Sequence, residues 1–257
     1  MSRECLYIYC LIRSDQPCEF VTQGIGARGD RVYTVGYRDL AAVVSDSPGA
    51  VYEPVLPNLL AHQLVSEEVM EQFSILPVRF GTVAPGAEVI RQKLLKERYD
   101  ELQGLLRDME RKVELVLKAS WRESVVFSEI VAENPEVRRL RDELLGRPPE
   151  ETRTERVQLG RMVETALWAK RDEDARRILS ALRPIAHRVQ MDKITTDMMV
   201  INTAFLVERA REEELDRTVE KLDREMGDRI TFEYFGPFPP YDFANIIVRL
   251  GGTMAGN

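Results

Sequence analysis

Beyond residue 112 the apolar residues change period several times, and few folds accommodate the order of those changes. Val113, Leu115 and Leu117 recur every second residue, which predicts a half-buried strand over 112–118. From Trp121 the pattern is helical. Asn134-Pro135-Glu136 supplies an N-cap followed by proline, so one helix ends there and another begins. Gly146-Arg147-Pro148-Pro149 is a loop, and a long helix starts near Thr154 with Ile178, Leu182 and Ile185 at helical spacing. Pro184 must kink it or end it. Two strands follow, 189–194 and 198–207, then a charged helix over 208–226 that turns Leu215, Val219, Leu222 and Met226 inward. Gly227 ends that helix, and 230–235 is the last long strand. The order is strand, helices, strand, strand, helix, strand: a ferredoxin-like β-α-β-β-α-β unit with an enlarged first helical connection.

The first half reads differently. Residues 6–12 form a buried strand, and a turn-rich stretch with Pro17, Gly24, Gly26 and Gly29 precedes short strands at 31–37 and 40–45. Pro57 suits a helix start, and that helix runs to about 74 with Leu56, Leu60, Leu64 and Phe73 near one face. A strand over 75–83 sets Leu76, Val78 and Phe80 against Ile75, Pro77 and Arg79; Pro77 makes it an edge strand or a strand start. A second helix spans 87–110 with Ile90, Leu94, Leu102, Leu106 and Met109 as its stripe. The boundary falls near 111. The expected architecture is α+β with two domains: an N-terminal mixed α/β sheet domain over 1–111, and a modified ferredoxin-like domain with a helical insertion over 112–257. The run from Gly236 to Pro240 is not expected to continue a ladder, and 251–257 is expected to be loose.

Apolar residues make up 44% and charged residues 31%, which suits globular domains rather than disorder. A net charge of −7 repels a phosphate backbone, so no nucleic-acid partner is expected. Cys5, Cys10 and Cys18 are odd in number and contain no C-x-x-C, which points to a reducing compartment. No run approaches the ~18–20 apolar residues of a membrane span. The sequence therefore predicts a soluble cytoplasmic protein.

Gly24-Ile25-Gly26-Ala27-Arg28-Gly29 matches G-x-G-x-x-G, but a strand follows where a dinucleotide site needs a helix N-terminus; it reads as a turn. The two histidines, His62 and His187, lie far apart. His62 and Ser66 share a helical face, which is a weak lead to a nucleophile and its base. Glu67, Glu68 and Glu71 read as a solvated acidic face, and the alternating charges of 208–225 as a solvated helix. No catalytic residue, cofactor or metal site is expected; the chain is expected to bind protein surfaces. Two segments stand out. In Leu76-Pro77-Val78-Arg79-Phe80-Gly81-Thr82 an arginine sits in an apolar strand. In Gly236-Pro237-Phe238-Pro239-Pro240-Tyr241-Asp242-Phe243 three aromatics alternate with prolines on a stiff backbone. Each is either structural, the first an ion-paired or surface arginine and the second a cover over a core, or a docking surface.

Taken together, Tyr7-Ile8-Tyr9, Leu40-Ala41-Ala42-Val43-Val44-Ser45, His62, the R-F-G-T stretch, Asn202-Thr203-Ala204-Phe205-Leu206-Val207 and the closing G-P-x-P-P-Y-x-F resemble the gas vesicle protein F/L family, in order along nearly the whole chain. That family usually has tryptophan at the place of Phe238 and often serine at the place of Asp242. The resemblance implies a non-enzymatic accessory protein of gas vesicles, a minor component that assists nucleation or assembly. Its implied partners are the small, very apolar shell protein and other vesicle accessory proteins, and its implied location is the vesicle or the cytoplasm beside it. Arg79, Phe80, Pro237, Phe238, Pro239, Pro240, Tyr241 and Phe243 become the candidate interaction residues. A ferredoxin-like small-molecule-sensing regulatory module is the alternative, since that fold hosts many functions. RNA binding on the sheet would need exposed aromatics on a basic face, which 112–118 does not offer.

Overall fold

The computed structural model describes residues 5–49, 51–244, 246 and 248. They form two compact units. One holds the residues up to Glu114 together with those from Pro237 on; the other holds Leu115–Gly236.

The first unit is built on β1 (Cys5–Arg13), whose side chains are buried from Leu6 to Ile12. A strand buried along both faces must lie mid-sheet with cover on each side. Its sheet runs β2 (Glu19–Phe20), β3 (Val32–Tyr37), β4 (Leu40–Ser47), β1, β5 (Ile75–Pro77). β6 (Val83–Ala84) also pairs with β1, so β5 and β6 share one edge of that strand. The expected strand over 75–83 is thus two strands. Gly81 at φ +81° turns the chain between them, and Arg79 and Phe80 leave the ladder. A register shift against β4 at Tyr9 bulges β1.

Helix α1 (Leu56–Gln72) begins one residue before the expected Pro57, which sits in its first turn, and it turns the other way. It buries His62, Val65, Ser66, Val69 and Met70 and leaves Leu56, Leu60 and Leu64 exposed. The expected helix over 87–110 comes in three pieces: α2 (Ala87–Val89), a π-helical stretch Ile90–Lys96, and α3 (Tyr99–Asp108). The π-helical stretch buries Ile90, Leu94 and Leu95.

The second unit has the expected ferredoxin-like topology. After β7 (Lys112–Trp121) come α4 (Glu123–Glu133), α5 (Pro135–Leu144) and α6 (Arg153–Leu182), then β8 (Arg188–Met191), β9 (Met199–Glu208), α7 (Glu212–Met226) and β10 (Ile230–Phe238). The sheet order is β10-β7-β9-β8. Trp121 N–H reaches Met198 O at 2.9 Å and Arg122 N–H reaches Arg229 O at 2.7 Å, so the end of β7 lies beside the starts of both neighbours, as antiparallel pairing requires. Three helices fill the first connection, and α6 stops just before Pro184.

Two features at the C-terminal end differ from expectation. β10 continues through Gly236 and Pro237 to Phe238. It is an edge strand, and there a proline's missing donor interrupts no ladder. The segment after it does not stay with the 112–257 unit. Val78 pairs in parallel with Ile246, Ile246 N–H lies 3.4 Å from Pro77 O, and Ala244 and Ile246 are buried in the first unit. The expected loose tail, 251–257, lies outside the described residues.

Candidate functional site

The stretches singled out in the first half and at the C-terminus meet around one histidine. His62, on the inner face of α1, is 5% exposed. Its ring packs edge-on to Tyr7 and Phe80 at 5.7 and 5.8 Å between centroids, and tilted against Tyr9 at 5.6 Å and Tyr241 at 6.5 Å. Tyr52 closes the cluster, edge-on to Tyr7 at 5.2 Å. Such rings prefer tilted contacts because their faces are negative and their edges positive.

Tyr7, Tyr9 and His62 are hydrogen-bonded within the cluster, while the buried Tyr241 hydroxyl has no partner among the described residues. Gly81 N–H donates to Tyr7 Oη at 3.0 Å, which anchors the R-F-G-T turn. The same oxygen lies 3.0 Å from His62 Nδ1. Gly81 N–H occupies one acceptor position of this oxygen, and pairing the buried Tyr7 hydroxyl proton assigns Nδ1 as its acceptor, the tautomer with the ring proton on Nε2. Ile25 N–H donates to Tyr9 Oη at 2.7 Å, and Tyr9 Oη pairs with Ser45 Oγ at 2.8 Å. The glycine-rich loop is therefore a turn that seats Ile25 in the core, with Gly26, Ala27 and Gly29 at positive φ. Burial lowers His62 to about 4 and raises Tyr9 and Tyr241 to about 12; it also raises Tyr7. At neutral pH the cluster carries no charge. Ser66 Oγ donates to the backbone carbonyl of His62 at 3.0 Å, so the pair is not a nucleophile with its base.

Two of the candidate interaction residues, Phe80 and Tyr241, touch His62 directly. Arg79 is exposed at the turn, where its carbonyl accepts Thr82 Oγ1 at 2.6 Å. Pro237 is exposed; Phe238 and Phe243 are half-buried; Pro239 and Pro240 are buried. Tyr241 turns inward. The prolines lead into a tight turn, with Tyr241 N–H on Pro239 O at 2.7 Å and Ala244 N–H on Pro240 O at 2.9 Å. Buried Glu114 holds the turn by accepting Asp242 N–H at 2.8 Å. Sequence reasoning missed Tyr52 and Glu114, which carry no local signal: each acts through a partner far along the chain or set by the turn.

The second unit holds an open cleft of about 780 Å³ bordered by Glu129, Lys170, Asp174 and Arg229. Arg229 forks onto both carboxylates, at 2.7 and 2.9 Å to Glu129 and 2.8 and 3.0 Å to Asp174, and Lys170 sits 3.0 Å from Glu129. Trp121 Nε1–H adds a 2.8 Å bond to Asp174. These charges satisfy one another, as in a structural network. Among the described residues no group of three or more His, Cys, Asp or Glu is arranged to hold a metal ion, and no helix is long and apolar enough to cross a membrane.

Comparison with known proteins agrees with the converging motifs. The family model described as gas vesicle synthesis protein GvpL/GvpF matches residues 5–245. Gas vesicle protein F of Streptomyces sp. (strain CB03234) is 32% identical over 92% of this chain and 98% of its own length. Gas vesicle protein F of Dolichospermum flosaquae is 26% identical over 94% of this chain and 98% of its own. The crystal structure of GvpF from Anabaena sp. PCC7120 superposes with a TM-score of 0.83 over 95% of this chain and all of that one, at 24% identity. The GvpF structure from Microcystis aeruginosa gives 0.77 over 94% of this chain and 99% of its own, at 25% identity. The chain belongs to the gas vesicle synthesis protein GvpL/GvpF family.

Proposed function

We propose that this protein serves gas vesicle assembly by binding the shell protein, or another vesicle protein, at the surface where the R-F-G-T turn meets the proline-rich turn. The observation that supports this most is convergence. Tyr7, His62, Phe80 and Tyr241 come from four distant parts of the chain and meet around one ring. Around that uncharged core the cluster offers Arg79, Pro237 and the half-exposed rings of Phe80, Phe238 and Phe243. Aromatic anchors on a stiffened backbone lose little entropy on docking. An apolar shell subunit needs such a partner to stay out of aggregates before it joins a wall.

The test separates docking from packing. Phe238→Ala and Tyr241→Ala are assayed for binding to purified shell protein and for thermal stability. Docking predicts that Phe238→Ala, half-exposed, costs ~1–3 kcal/mol of affinity with little change in melting temperature. Tyr241→Ala, whose ring packs on His62, is expected to lower the melting temperature as well. Unchanged binding by a folded Phe238→Ala protein refutes this surface as the docking site. The cleft in the second unit is open, and its Glu129, Lys170, Asp174 and Arg229 are already paired with one another, so it offers less support for a small-molecule sensor.

A further inference from the structure

Among the described residues the outer face of α1 is apolar and exposed. Leu56, Leu60 and Leu64, spaced four residues apart, are 68%, 46% and 53% exposed. They lie opposite His62 and form a stripe about 12 Å long. Val55 and Leu59, 46% and 41% exposed, widen it at the N-terminal end. Scattered exposed leucines are ordinary, but five contiguous apolar residues on one helix end are not.

Along α1 and the segment that leads into it the formal charge has one sign. The stripe continues at helical spacing into Glu67 and Glu71, and Glu53 stands exposed before it. From residue 39 to 78 the sequence holds six acidic residues and no lysine or arginine, in a chain with 36 basic residues. Gln63 Nε2–H donates to Glu67 Oε1 at 2.7 Å, which leaves the carboxylate uncompensated by any cation of its own helix.

We propose that this face binds an amphipathic α-helix of another protein, one whose apolar stripe is bordered by lysine or arginine. A helix laid along α1 sets leucine against leucine, and its basic border meets Glu53, Glu67 and Glu71. The same acids disfavour a second copy of this chain: an antiparallel pairing of two α1 helices sets Glu53 of one against Glu67 and Glu71 of the other. They equally disfavour an anionic bilayer. This face lies on the other side of α1 from the His62 cluster, so it is a second surface, and its failure leaves the aromatic surface standing.

The experiment titrates the full chain with a synthetic amphipathic helix of leucine and lysine. A peptide with glutamate in place of lysine, and a scrambled leucine–lysine peptide with no continuous apolar face, serve as controls. The leucine–lysine helix should bind and both controls should bind at least about tenfold more weakly. Leu60→Gln/Leu64→Gln should weaken it about tenfold or more at unchanged melting temperature, because both side chains are exposed. Glu67→Gln/Glu71→Gln should weaken it several-fold and flatten the dependence on salt. Undiminished binding by the leucine variant, or equal binding of the scrambled peptide, overturns the proposal. So does self-association, or binding to phosphatidylserine vesicles, that the leucine variant abolishes, since the occupant is then a second copy or a lipid surface.

Discussion

His62 should make this protein acid-sensitive in a way that one substitution removes. Its imidazole is 5% exposed, ringed by Tyr7, Tyr9, Phe80 and Tyr241, and its Nδ1 accepts the Tyr7 hydroxyl proton. Protonation would charge a desolvated ring and set its Nδ1–H against that hydroxyl, so burial lowers the value from 6.5 to about 4. The unfolded chain binds the proton near 6.5 and the folded chain only near 4, so between those values the unfolded state carries more protons. Stability is therefore full above 6.5 and is lost as pH falls toward 4. Between about pH 7.5 and about pH 4.5 the loss assignable to His62 is ~2.5 kcal/mol. His62→Asn keeps an acceptor for Tyr7 and abolishes the titration. Urea unfolding of both proteins across this range gives two curves; carboxylates contribute equally to each, and the difference in slope belongs to His62. Since the chain has only two histidines, imidazole NMR reads the value directly. A His62 value near 6.5, or equal pH slopes in the two proteins, would refute the reasoning.

Arg229→Met should cost about 3 kcal/mol, because it strands buried Asp174 without its forked partner; adding Asp174→Asn, which keeps an acceptor for Trp121, should recover part of it in urea midpoints. Gly81→Ala meets open space at φ +81°, so it should lower stability by only ~1 kcal/mol of backbone strain. Gly24→Ala should cost clearly more, since its Cβ would lie 2.6 Å from Ser45 Cβ and Oγ and would push Ser45 off Tyr9. Comparable unfolding midpoints for the two glycine variants would count against the tight seating of that loop.

The second unit was legible in the sequence because its information is local. Each strand or helix from Lys112 to Ile230 announces itself by its own period, and the order of periods names the topology. What failed was wherever a distant partner decides. The strand expected over 75–83 looks continuous until β1 takes both pieces and Gly81 turns between them. β10 was expected to stop before Gly236, but a proline ends a strand only where its donor is needed, and on the outer side of an edge strand it is not. The return of Ala244 and Ile246 to the first unit is written in no local pattern. Of the candidate site, the two singled-out segments were legible; their meeting at His62 was not.

Helix α1 shows why the error at the site took the form it did. A rule that turns leucines inward selects Leu56, Leu60 and Leu64, and the face it rejects contains a histidine and a serine. The chain inverts the rule because both polar residues are hydrogen-bonded on that face: Ser66 donates to its own helix backbone, and His62 Nδ1 is paired with the Tyr7 hydroxyl. Once those groups are paired, burying the face with Val65, Val69 and Met70 leaves no polar atom of theirs stranded. A single-sequence reading weighs residue types one at a time and cannot see a hydroxyl 55 residues away that makes a histidine fit for a core. The leucines then remain outside with acids as their only charged neighbours on the helix. The result is an inner face that is polar by composition and apolar by pairing, and an outer face that is apolar and exposed.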